Sequence, residues 1–174
     1  TCGRLFDAVS AILGICTIST YEGEAAIKLS DYITHDIINR TNRTTNVYPF
    51  HIIENDQMEF ELDMSAMIHQ IVIDKLKRKS LIHIIDKFHQ TIVESCVKMI
   101  LIIAKKSPHL NRNIVLSGGS FQNNYLLIEL TNKLRMEGFQ VYTHQKFPCH
   151  DGGLAIGQLL IAAHKITEKK LGGT

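Results

Sequence analysis

The chain has 174 residues, of which 45% are hydrophobic and 21% charged, with a formal net charge of +2. That length can bury a real core as one domain or one lobe, and the composition is that of a globular protein. The charge is too small to argue for nucleic acid, and the apolar runs are broken by Lys or His well short of the roughly 20 residues a membrane crossing needs, so neither partner is expected.

Residues 3–15 place Leu5, Phe6, Val9, Ile12 and Leu13 at spacings of three and four, which predicts an amphipathic helix with Gly14 at its C-cap. The chain has no initiating Met and opens directly into this segment, which reads as a piece of a longer protein. Residues 22–36, begun by Tyr21-Glu22-Gly23, form a second predicted helix, and residues 37–46 a polar connection. Tyr48 to Ile53 and Met58 to Leu62 read as short strands joined through Glu54-Asn55-Asp56 into a β-hairpin. Ser65 to Lys77 is a third helix, closed by the basic run Lys75 to Lys79. Cations complement the negative end of a helix, so this run reads as solvated capping rather than an RNA surface. Ser80 is expected to cap the next helix. Its stripe of Leu81, Ile85, Phe88, Ile92, Cys96, Met99 and Ile103 keeps a helical period over about 25 residues. His89 lies within it and reads as a packed or hydrogen-bonded histidine rather than a ligand.

The last third changes rhythm. Ile114-Val115-Leu116 is a short strand running into Ser117-Gly118-Gly119-Ser120, and a helix follows with Leu126, Leu127, Leu130 and Leu134 inward and Gly138 as its cap. A strand from Gln140 to Thr143, a loop through Pro148 and a helix from about Gly152 to Lys165 complete the chain. Strand, glycine loop, helix, strand, helix is an α/β order with right-handed crossovers expected. The four cysteines, Cys2, Cys16, Cys96 and Cys149, form no C-x-x-C pair and suit free thiols in a reducing compartment. No signal peptide is read at Thr1, and a cytoplasmic location is expected. Asn39-Arg40-Thr41 and Asn42-Arg43-Thr44 match the glycosylation sequon but carry no weight in such a chain.

Three segments carry chemistry. A strand ending in Gly118-Gly119 and opening a helix can bring backbone N–H groups against an anionic ligand, because a Cβ there would block close approach or a positive φ. Many α/β loops use the same pattern only for tight packing. Asp151, before Gly152-Gly153, is either a helix N-cap or a carboxylate offered to a metal; His144 and His150 nearby do not complete a specific ligand pattern. Asp7 stands between Phe6 and Val9, among positions expected to face a core, where a carboxylate is costly unless paired or bound to a ligand's hydroxyls. Gly23, in a run of helix formers, marks a helix start or a close backbone approach.

Gly-Arg-Leu-Phe-Asp-Ala-Val-Ser-Ala-Ile-Leu-Gly (3–14), Tyr-Glu-Gly-Glu-Ala-Ala (21–26), Leu-Ser-Gly-Gly-Ser-Phe-Gln-Asn (116–123) and Asp-Gly-Gly-Leu-Ala-Ile-Gly-Gln (151–158) together resemble the C-terminal carbamoyltransferase domain of the HypF family. They stand in the family's order, and the resemblance spans essentially the whole chain. Phe88-His89 resembles the family as well. Ser120 departs from the usual aliphatic residue, and His150 from the usual Asn. The same architecture is shared more distantly with threonylcarbamoyl- and O-carbamoyltransferases.

The resemblance implies an α/β fold, the C-terminal lobe of an actin/sugar-kinase-like (ribonuclease H-like) domain, with a mixed sheet and flanking helices, residues 1–174 forming one nucleotide-binding lobe. It implies carbamoyl transfer from a carbamoyl-adenylate, made from carbamoyl phosphate and ATP in an upstream domain, to the C-terminal cysteine of a HypE-like acceptor during nickel–iron hydrogenase maturation. Gly118, Gly119 and Asn123 would hold the adenine or phosphate end of the nucleotide, and Asp7 and Gly23 the ribose. Asp151 would be one ligand of a divalent metal, iron or zinc, acting as a Lewis acid. The other ligands would come from a histidine motif in the preceding lobe, since His83 and His89 have the wrong spacing for it. The lobe alone is therefore expected to be inactive, and Cys149 to be a spectator thiol. The alternatives are a threonylcarbamoyl- or O-carbamoyltransferase lobe, which changes the acceptor, and a non-catalytic actin-like nucleotide-binding module.

Overall fold

Phe6, Val9 and Leu13 recur at helical spacing and are buried on one side of helix α1 (Cys2–Leu13). The computed structural model of the chain describes residues 1–37, 46–55, 59–109 and 111–171. Gly14 ends α1 at φ +75°, its N–H bonded to the Ala11 carbonyl at 3.0 Å. Helix α2 (Glu24–Ile37) starts two residues later than expected, after Gly23 turns the chain at φ +80°. Most of the predicted polar connection, residues 38–45 with both sequons, lies outside the described residues, as do Asp56 and Met58.

The hairpin forms, with shifted bounds: β1 (His51–Glu54) pairs antiparallel with β2 (Phe60–Asp63), His51 opposite Asp63. Tyr48 to Phe50, predicted as strand, lie outside the ladder, and Tyr48 is engaged elsewhere. The Tyr48 N–H donates to Thr91 Oγ1 at 2.8 Å, and its fully buried phenol donates to Asp74 Oδ2 at 3.0 Å.

Helix α3 (Ser65–Leu76) is followed by the basic run, which is not purely solvated. Lys75 Nζ donates to the Leu13 carbonyl at 2.6 Å, placing a cation on the C-terminus of α1, and Lys79 pairs with buried Asp74 at 2.8 Å. Helix α4 (Leu81–Lys106) follows; Ser80 precedes it without a side-chain capping bond. This helix is the centre of the molecule. Its middle turns are buried on every side, from Phe88 through Val93, whereas Ile103 near its end is partly exposed. Helices α2 and α3 pack on it together with α5 (Asn124–Met136), and the Phe6 and Phe88 rings meet edge-to-face at 4.9 Å.

The expected α/β class is observed, with its strands in two small sheets. Beside the hairpin, β3 (Asn113–Leu116) pairs in parallel with β4 (Gln140–Thr143). Leu126, Leu130 and Leu134 bury α5 beneath this pair, Leu127 only partly, and Gly138 turns the chain at φ +80°. Arg112 hydrogen-bonds the Glu137 and Gly138 carbonyls, fixing this turn to the start of β3. The final helix α6 (Leu154–Leu171) is different: Leu154, Leu159, Leu160 and Ile161 are all exposed. No helix among the described residues is long and apolar enough to cross a membrane.

Candidate functional site

Two loops leave the C-terminal ends of the parallel strands β3 and β4, the edge where open α/β sheets place their ligands. They meet: the Gly118 N–H donates to the Cys149 carbonyl at 2.8 Å. The glycine loop and the segment before Asp151, joined between residues 31 apart in sequence, thus share one mouth. Gly118 adopts φ +106° and ψ 162°, a conformation essentially reserved for glycine. A short 3-10 turn, Gly119–Gln122, then leads into α5. On the other loop Gly153 is squeezed, since a Cβ there would sit 2.7 Å from the Pro148 carbonyl oxygen.

Between these loops and α6 lies a cleft of about 280 Å³. Ser117, His144, Cys149 and His150 give it a polar side, and Phe147 and Leu160 an apolar one. Ser117 Oγ and His144 Nε2, both exposed, lie 2.9 Å apart in its lining. This pair went unnoticed in the sequence because its members are 27 residues apart and become neighbours only when β3 and β4 register in parallel.

Asn123 is more constrained than a freely offered ligand would be. Its Oδ1 caps α5 by accepting the Leu126 N–H at 3.2 Å, and its Nδ2 lies 3.1 Å from His89 Nε2. His89 is fully buried, with Nδ1 at 2.9 Å from the Ile85 carbonyl oxygen and its ring edge-to-face with Phe6, Phe88 and Tyr125. Burial holds the imidazole pKa down at about 4, the hydrogen bond to Ile85 opposing it only in part. The ring is neutral at ordinary pH.

Asp7 is a correction. It lies on the exposed side of α1 while Phe6, Val9 and Ser10 face inward, so its carboxylate escapes the desolvation expected of it. Its neighbour Phe6 nevertheless touches His89, which links this turn of α1 to Asn123. Gly23 is a helix-start glycine, with no atom within 4 Å of where a Cβ would stand. The engaged carboxylate beside it is Glu24, which accepts from the Thr20 N–H at 2.6 Å and Thr20 Oγ1 at 3.0 Å and pairs with Lys28 at 2.6 Å. Lys28 first, then Thr20, hold its pKa down at about 2. Asp151 is exposed and is not the cap of its turn; His150 is, its Nδ1 accepting the Gly152 N–H at 3.1 Å. Among the described residues no group of three or more His, Cys, Asp or Glu side chains is disposed to hold a metal. Asp151 thus stands without a gathered set of candidate metal ligands among the described residues.

Residues 1–158 match the family described as carbamoyltransferase, Kae1-like domain, second subdomain. The carbamoyltransferase HypF of Synechocystis is 32% identical over 158 residues, covering 91% of this chain and 19% of that protein. The probable carbamoyltransferase HypF of Methanocaldococcus jannaschii is 30% identical, covering 90% and 19%. A full-length HypF solved in a phosphate- and nucleotide-bound form superposes with a TM-score of 0.79 at 37% identity, over 92% of this chain and 20% of that one. The chain spans about a fifth of the length of these relatives. It belongs to the HypF carbamoyltransferase family.

Proposed function

We propose that this member of the HypF family is the nucleotide-binding half of a carbamoyltransferase site, moving a carbamoyl group from carbamoyl-adenylate to the C-terminal cysteine thiol of a HypE-like acceptor. The observation that carries the reading is the hydrogen bond from Gly118 N–H to the Cys149 carbonyl. It brings two of the four family motifs, 116–123 and 151–158, to one mouth at the C-terminal ends of parallel strands. The nucleotide-bound relative supports the same choice of ligand.

In this reading the backbone of Gly118 and Gly119 approaches the adenine or phosphate end of the nucleotide, and Asp7 and Gly23 lie toward the ribose. Asn123 fixes the shape of the loop through its cap and its bond to His89. Asp151 is one ligand of a divalent metal, iron or zinc, which when bound supplies Lewis acidity toward the carbamoyl carbonyl or phosphate. The chain's own contribution is to hold the adenylate so that the acceptor thiolate reaches its carbamoyl carbon, with AMP as the leaving group.

The test is calorimetric titration of the chain with ATP, beside Gly118→Ala and Asn123→Ala, repeated with the rest of the family domain joined to it. Saturable binding that both substitutions weaken supports the reading. A complete domain that binds no nucleotide overturns it.

A further inference from the structure

We propose that His89, buried at the middle of α4, is a positioning residue for the glycine loop, acting through the side-chain amide of Asn123. This rests on the nucleotide reading only for its consequence on binding; the geometry stands by itself. The Ile85 carbonyl can only accept, so the ring nitrogen 2.9 Å from it carries the proton. Nε2 is then left with a lone pair alone, and the group facing it at 3.1 Å must donate. That group is Asn123 Nδ2. Turning the amide over would set an oxygen against the imidazole lone pair and an NH₂ against the Leu126 N–H, a mismatch at both ends. One ring tautomer therefore fixes one amide orientation.

Capping does not explain this arrangement. An Asn needs only its oxygen to cap a helix, and the second partner adds nothing to the cap. A buried imidazole is also a costly way to fill space that an aliphatic side chain would fill more cheaply. What the second bond does is pin the end of the loop. Asn123 closes the 3-10 turn, its N–H bonded to the Ser120 carbonyl at 3.3 Å and its own carbonyl accepting from the Leu127 N–H at 3.1 Å. Gly118 is pinned at the other end by the Cys149 carbonyl. Gly119 and Ser120 are thus strung between two fixed points. The deeper point is immobile, because Phe6, Phe88 and Tyr125 pack edge-on against the His89 ring at 5.2, 5.2 and 5.6 Å.

The experiment uses the full chain with three substitutions: His89→Leu, His89→Gln and Asn123→Ser. Serine keeps a capping oxygen and so preserves α5, but it cannot reach back to His89. Glutamine offers an amide N–H toward Ile85 and an oxygen toward Asn123. Three readouts are taken: the ¹⁵N shift of His89 Nε2, amide hydrogen exchange at Phe121, whose N–H bonds the Gly118 carbonyl at 3.1 Å, and ATP affinity. Wild type is expected to show an unprotonated, hydrogen-bonded Nε2 whose shift moves in Asn123→Ser. His89→Leu and Asn123→Ser are each expected to speed loop exchange and weaken ATP binding by about tenfold, with His89→Gln recovering most of both. Loop exchange in Asn123→Ser within about twofold of wild type overturns the proposal. If His89→Leu does not fold, Asn123→Ser decides alone. If wild type binds no ATP, the nucleotide reading is judged in the complete domain, while loop exchange in this chain still judges the positioning role.

Discussion

Acid should weaken this fold through His89 before it touches any carboxylate. The imidazole is fully buried, with a pKa held at about 4 against an ordinary value of 6.5. Its contacts are the Ile85 carbonyl, Phe6 from α1, Phe88 beside it, and Asn123 and Tyr125 at the start of α5; none is acidic, and the carbonyl's pull toward an imidazolium is outweighed by burial. Above pH 6.5 the ring is neutral whether the chain is folded or not, and its contribution is fully present. As pH falls below 6.5 the unfolded chain takes up a proton that the folded chain refuses until about pH 4. Stability is therefore lost with falling pH, at up to about 1.4 kcal/mol per pH unit and about 3 kcal/mol across the whole window. Glu24, Asp74 and Asp63 all have lowered values, so they too lose stability on acidification, but only as pH falls below the ordinary carboxylate values of 4.5 and 3.8. The interval from about pH 6.5 to 5 belongs to His89. Urea unfolding of wild type and His89→Gln at a series of pH values measures it directly. The two stability curves should converge by about 2 kcal/mol as pH falls across that interval. Curves that run parallel there would refute the burial argument, and an NMR titration showing His89 protonating near pH 6.5 would refute it independently.

The two loop glycines should respond unequally. Gly118→Ala forces a side chain into φ +106° and should cost about 1–3 kcal/mol in thermal unfolding, whereas Gly119→Ala meets only the end of the Gln122 side chain at 3.8 Å and should be mild; equal losses would show that the positive φ is not the cause. Tyr48→Phe removes one of the donors to buried Asp74. Burial alone would raise that carboxyl, but Lys79, Gln70 and Tyr48 outweigh it and hold it low, so the loss should be about 2 kcal/mol, or roughly 6 °C in Tm by calorimetry. Glu24→Gln breaks the contacts to Thr20 and Lys28 at the start of α2 and should lower Tm at pH 7. Because the folded carboxyl titrates near 2, the gap between wild type and variant should close as pH falls from about 4.5 toward 2; a gap that persists in acid would mean the charge is not what stabilises this turn.

The helices were legible because their signal is local. The three-and-four spacing of Phe6, Val9 and Leu13 and of Leu126, Leu130 and Leu134 is a property of consecutive residues, and β4 appeared at its predicted bounds. What was not legible depends on partners far along the chain. Tyr48 looks like a strand residue until Thr91, 43 positions later, takes its N–H. Asp7 was assigned to the core on its flanking residues, but in a helix a residue's immediate neighbours point elsewhere; only i±3 and i±4 share its face. At the proposed site, the motifs pointed to the two loops that meet where Gly118 bonds the Cys149 carbonyl, and not to how each side chain is employed there. Asn123 and Asp151 both resemble ligands in sequence, yet the first is spent on a cap and on His89, and the second left the capping role to His150.

The cleft has two walls of unequal firmness. One is lined by Ser117 at the end of β3 and by His144, Phe147, Cys149 and His150 after β4, and β3 rests through Leu116 on the core it shares with α1, α4 and α5. The other is α6, which reaches the cleft through Ile156, Gly157 and Leu160 but leaves Leu159, Leu160 and Ile161 largely in water. An apolar stripe of that kind is held in place only when another surface covers it. Asp151 stands at the foot of this second wall, exposed, and a lone hydrated carboxylate holds a divalent ion weakly. Nucleotide contacts proposed through the glycine loop would draw on the bonds that already hold Gly118 and Asn123. Metal contacts proposed through Asp151 would draw on whatever covers α6 and supplies the remaining ligands. On the proposed reading the two roles separate along that line, and nucleotide binding is the one expected to persist in this chain alone, which titration with ATP checks.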